Sequence, residues 1–104
     1  VTAQAGSWPR VSVVGGYRYA RFNAATTGAA IGDTNPKALH AVTVGDPGSE
    51  VVITLYDGTD DSGDVITVLK PSAAGTFLLD VRADKGLFIV ITATTAPEIT
   101  VAYL

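Results

Sequence analysis

From the middle of the chain onward, alternation of apolar and polar side chains with a period of two dominates. Residues suited to turns interrupt that alternation about every 8 to 14 positions. Val51, Ile53 and Leu55 fall on one face of an extended segment, and Val52, Thr54 and Tyr56 on the other. Val65–Leu69 reads as the next strand. Thr76–Arg82 reads as another, with Phe77, Leu79 and Val81 inward and Thr76, Asp80 and Arg82 outward. Gly86–Ile91 is apolar on both faces, and Ile99–Tyr103 alternates cleanly. β-Branched and aromatic residues dominate these runs and suit a pleated, half-buried surface.

The interruptions have their own chemistry. Asp46-Pro47-Gly48 sets a turn, because proline fixes its own φ and glycine accepts positive φ. Asp57-Gly58 and Ser62-Gly63 bracket a polar loop. Residues 71–75, 83–86 and 95–97 supply the remaining breaks.

Two strands are expected upstream. Leu39–Val44 places Leu39, Ala41 and Thr43 on one face, against His40, Val42 and Val44. Tyr17–Phe22 interleaves aromatic and basic residues, with Gly15-Gly16 joining it to Val11–Val14 as a hairpin. Asn23–Pro36 has no clear period and reads as a long loop, with a short helical turn as the alternative. The sum is an all-β domain, an antiparallel β-sandwich of seven or eight strands, with the jelly roll as one arrangement of them. Residues 11–104 form that single domain. Residues 1–10 are small and polar up to Trp8-Pro9 and read as an extended N-terminal arm.

Composition narrows the function. Only 16% of the 104 residues are charged against 47% hydrophobic, where about a quarter charged is usual. Part of the surface is therefore expected to be covered by protein, either in a homo-oligomer, with a trimer favoured, or on a larger partner. Trp8 from the arm, Leu78, and Leu87, Phe88 and Val90 from the doubly apolar strand are the residues expected at such contacts. The net charge of −3 and the lack of any basic run argue against a nucleic-acid surface. No stretch approaches the roughly 18 apolar residues of a membrane-crossing helix.

Three constellations carry residue types suited to chemistry. Asp57, Asp60, Asp61 and Asp64 lie within one loop, but their spacing does not fit a calcium-binding EF-hand loop. A solvated turn is the favoured reading, and no metal or other cofactor is expected. His40 is the only histidine and there is no cysteine. A zinc site or a catalytic triad is therefore disfavoured, and the chain is not expected to be an enzyme. Tyr17, Tyr19 and Arg21 would share one strand face that could stack on a sugar ring, or could simply form cross-strand pairs.

The order Leu55-Tyr56-Asp57-Gly58-Thr59, Ser62-Gly63, Val65-Ile66, Gly86–Val90 and Ala96–Tyr103 resembles small virion structural proteins of tailed bacteriophages, of the head-decoration and head-fibre type. The resemblance covers about two-thirds of the chain. It implies a non-enzymatic capsid decoration protein on the virion surface that binds the major capsid protein and stabilises the assembled head. The alternative is a carbohydrate-binding or adhesin-type β-sandwich module.

Overall fold

A computed structural model of the chain describes residues 17–32 and 37–104. They form eight strands and, among the described residues, no helix: β1 (Arg18–Phe22), β2 (Thr26–Ile31), β3 (Lys37–Asp46), β4 (Val52–Asp57), β5 (Asp64–Leu69), β6 (Gly75–Ala83), β7 (Leu87–Thr92) and β8 (Glu98–Tyr103). They build two four-stranded antiparallel sheets, ordered β1-β8-β3-β6 and β2-β7-β4-β5. Among these eight described strands, only β4 and β5 follow each other within one sheet, and every other consecutive pair lies in different sheets. The all-β sandwich expected from the alternation is present, and its strand order is that of a jelly roll.

The core lies between the sheets. Leu39, Val42, Val44, Ile99 and Val101 from one sheet meet Ile53, Leu55, Leu87, Ile89 and Ile91 from the other, all essentially inaccessible to solvent. Packing two apolar faces together is what holds a sandwich of this kind. Two turns are pinned to each other at one end. Gly48 N–H donates to Asp46 Oδ1 at 2.9 Å, and Thr94 N–H donates to Ser49 O at 2.8 Å. Gly48 has φ of 64°, and a Cβ there would lie 2.2 Å from Thr95 O, so glycine is required.

Three sequence expectations need correction. Residues 26–31, read as part of a loop, are β2. Its register on β7 shifts between Thr26 and Ala29, which breaks any period of two, and Ile31 is its only large inward side chain. Leu39 does not share a face with Ala41 and Thr43. β3 bulges after Leu39, so Leu39, Val42 and Val44 all point inward. Leu87, expected at an interface, is a core residue at 1% exposure. The proposed hairpin partner Val11–Val14 and the arm with Trp8 lie outside the described residues. β1 pairs with the C-terminal β8.

Candidate functional site

The strand order presents two outer faces of different chemistry. On the β1-β8-β3-β6 sheet, the registers line up outward residues in rows that run across the strands. Tyr19 pairs with Ala102, Ala102 with Ala41, and Ala41 with Leu78. Two alanines therefore form the middle of a row whose ends are large and exposed, Tyr19 at 71% and Leu78 at 62%. The next row runs Arg21, Thr100, Thr43, Thr76. Arg21 donates to Glu98 Oε1 at 3.1 Å, and the Thr43 and Thr76 hydroxyls are 3.2 Å apart.

The row on the other side of the alanines comes from a bulge. Between the Leu39–Val81 and Ala41–Leu78 pairs, His40 on β3 faces two residues on β6, Leu79 and Asp80. Asp80 takes up the extra length with φ of 48°, a left-handed conformation that aspartate tolerates better than most residues. That conformation brings its carboxylate to the imidazole, with His40 Nδ1 and Asp80 Oδ1 2.5 Å apart. A carboxylate can only accept, so Nδ1 carries the hydrogen of this bond. The Tyr17 ring lies parallel on the His40 ring, with centroids 4.1 Å apart and 3° between planes. Tyr17, His40 and Asp80 thus form one continuous ridge over the sheet.

The outer face of the β2-β7-β4-β5 sheet has almost no charge. Its strands hold two ionisable acids, Asp57 and Asp64, which pair with each other in register at the β4–β5 hairpin end. Val65 and Val68 are 56% and 48% exposed, beside the half-buried Val52, Thr54, Tyr56, Phe88 and Val90. Phe88 covers the bulge in β2. A Cβ on Gly28 would stand 2.5 Å from its ring, so glycine at 28 leaves the space that the ring fills. Tyr56 meets the same ring at a tilt, with centroids 6.4 Å apart. A shallow hollow beside it is lined by Thr26, Thr27, Val90 and Thr92.

The acidic loop is tied down by its own geometry. Asp57 accepts backbone N–H groups of Lys85 at 2.7 Å and Asp84 at 3.1 Å, which holds its carboxyl below the ordinary aspartate range. Asp60 accepts the hydroxyl and the N–H of Ser62, with the same effect. Among the described residues, no three metal-ligating side chains converge.

The structure thus brings Tyr17, Tyr19 and Arg21 to one face, as the alternation implied, and adds His40, Asp80 and Glu98 to them. It divides the expected contact residues. Leu78 shares the face of Tyr19, Phe88 and Val90 lie on the opposite outer face, and Leu87 is interior. The exposure of Val65 and Val68 has no signal in the sequence, where β5 reads as an ordinary strand. Its position at a sheet edge is what uncovers them. No family model and no curated protein matches the chain.

Proposed function

We propose that this chain is a non-enzymatic structural protein of a virion, a decoration subunit that binds the major capsid protein on the outside of a bacteriophage head and stabilises the assembled shell. One observation carries the reading: the uncharged outer face of the β2-β7-β4-β5 sheet, where Val65 and Val68 stand open beside Phe88 and Val90. A contiguous apolar surface of this kind on a small domain is the mark of a protein–protein contact. The jelly-roll order agrees with the resemblance to phage head proteins, since viral capsid domains use this architecture widely. Binding the assembled shell and not its dispersed subunits stabilises the shell by mass action. The subunits act as a homo-oligomer, a trimer, with part of the same face shared between neighbours.

The test is co-sedimentation with purified phage heads, together with light scattering of the free protein. The wild type should pellet with heads and scatter at about three times the 10.7 kDa chain mass. Val68→Lys, which places a charge on the open β5 side of the face, should weaken co-sedimentation by at least about tenfold without unfolding the domain. A protein that stays at one chain mass and ignores heads overturns the reading.

A further inference from the structure

The opposite face of the sandwich has a construction that shell binding does not use. It combines an apolar floor, an exposed aromatic ring at one end of that floor, and hydrogen-bonding groups along both sides. The floor is the half-buried Ala102 on β8, beside Ala41 on β3, which at 6% exposure is already covered by its neighbours. Tyr19 closes it at the β1 edge and Leu78 at the β6 edge. The span from edge strand to edge strand is three strand spacings, about 14 Å. Along the strands, residues two positions apart are about 7 Å apart. The polar rows on either side of the alanines therefore flank a single ring-sized strip.

Those two rows offer both kinds of hydrogen-bonding group. On one side, the Asp80 carboxylate is held to His40 through one oxygen, and its side chain is 64% exposed, so acceptor sites remain open. On the other side stand the hydroxyls of Thr43, Thr76 and Thr100 and the Arg21 guanidinium, whose Nη2 is bound to Glu98. The positions are fixed by tertiary contacts. The bulge and the parallel Tyr17 ring hold His40 and Asp80, the ion pair holds Arg21, and the hydroxyl contact holds Thr43 against Thr76.

We infer that the outer face of the β1-β8-β3-β6 sheet is a binding site for a neutral sugar ring, the terminal or internal hexopyranose of a glycan. A pyranose has an apolar C–H face and a rim of hydroxyls that donate and accept. Its C–H face matches the Tyr19 ring, 71% exposed, and the Ala102 methyl beside it, and its rim matches the polar rows. The charges select a neutral ligand. Arg21 is already compensated by Glu98, and the open carboxylate of Asp80 repels an anionic sugar. The site is shallow and solvent-open, so affinity for one ring is weak. Several copies on one particle would raise it through multivalency. This inference stands apart from the capsid reading, since it concerns the other face and is tested on the free protein.

The experiment is saturation-transfer NMR and titration of the isolated protein against neutral hexoses and their short oligosaccharides, with a sialylated oligosaccharide as the anionic comparison. Neutral sugars should bind, with transfer strongest to C–H protons, and the sialylated one should not. Tyr19→Ala, Asp80→Asn and Ala102→Leu remove the ring, neutralise the acceptor and fill the floor. Each should weaken binding by at least about tenfold. Asp80→Asn keeps a residue that tolerates the left-handed backbone, so it separates lost recognition from lost structure. Val68→Lys, on the other face, should bind sugar as the wild type does. Absence of any neutral-sugar binding at millimolar concentration overturns the inference. So does binding that survives all three substitutions, or that prefers the anionic sugar.

Discussion

The two outer faces arise from the same pleat but differ in what the outward positions carry. On the β1-β8-β3-β6 sheet they hold Arg21, Glu98, His40, Asp80 and Arg82, placed so that opposite charges meet: Arg21 with Glu98 at 3.1 Å, and Arg82 with Asp84 just beyond β6 at 3.2 Å. On the β2-β7-β4-β5 sheet they hold valine, threonine and aromatic rings, with acids only at the hairpin end. Buried inner faces are equally apolar in both sheets, so the core does not dictate the contrast. The first face sets its exposed Tyr19 and Leu78 among paired charges and hydroxyls. The second gains by being covered, at roughly 25 cal/mol for each Å² of apolar surface removed from water. The charges that the two sheets carry at outward positions lie mainly on one side.

The comparison breaks most sharply at β7, where one strand serves the core and the uncharged face together. Leu87→Ala should lower stability by about 2–5 kcal/mol, since it empties a fully buried site. Phe88→Ala, one residue on, should cost about 2 kcal/mol, because the ring is half-buried on Gly28 and Tyr56. If denaturant melts put Phe88→Ala at the level of an exposed residue, the ring does not seal β2. In that case the uncharged face is looser than its packing implies. Gly28→Ala probes the same contact from beneath. A Cβ 2.5 Å from the ring must displace it, and a loss of about 1–3 kcal/mol is expected.

This strand also shows how far sequence reasoning reaches. An alternating pattern reports which residues share a face. It does not report which face is covered, and in Gly86–Ile91 both faces are apolar. Leu87, Phe88 and Val90 therefore read alike from sequence, and only the sheet assignment separates the buried leucine from its neighbours. Bulges also break the correspondence between alternation and facing. Against β8, His40 is an extra residue on β3, and it shifts the phase of that strand, so Leu39 reads as facing with Ala41 when it points inward with Val42. The same kind of irregularity, together with small side chains, hid β2. The Tyr17, Tyr19 and Arg21 face was readable because β1 has no bulge. Its partners Asp80 and Glu98 come from β6 and β8, and sequence spacing carries no trace of those pairings.

A smaller effect is expected at the junction between the two halves, where Asp57 at the end of β4 holds the turn between β6 and β7. Asp57→Ala should cost about 1 kcal/mol, or roughly 4–8 °C in Tm. The acid sensitivity has a definite sign. The Asp57 carboxyl titrates below its ordinary value in the folded protein, so the ionised form is the one bound by the Lys85 and Asp84 amides. Its contribution is complete above the unfolded-state value near 3.8 and is lost as pH falls through the lower folded-state value. Wild type and Asp57→Asn should therefore converge in stability at the acid end and separate above it. Parallel curves down to the lowest pH would locate the pinning elsewhere.

The smallest expected effects are the ones that isolate the two faces from the fold. Tyr19, Leu78 and Val68 are each about half exposed or more, on opposite sides of the sandwich. Substitutions at such sites usually move stability by no more than about 0.5 kcal/mol. Tyr19→Ala and Leu78→Ala should melt within that margin of the wild type. Val68→Lys should do the same, since its side chain extends from the edge strand β5 and the new charge can reach water. A charge at that position also discourages strands of other molecules from pairing with the free edge of β5. Association should therefore drop while the melting curve stays in place. Melting curves and light scattering on the same three samples decide the point. If Tyr19→Ala lowers the association mass as much as Val68→Lys does, subunits meet through the charged face as well, and the division of labour between the faces does not hold.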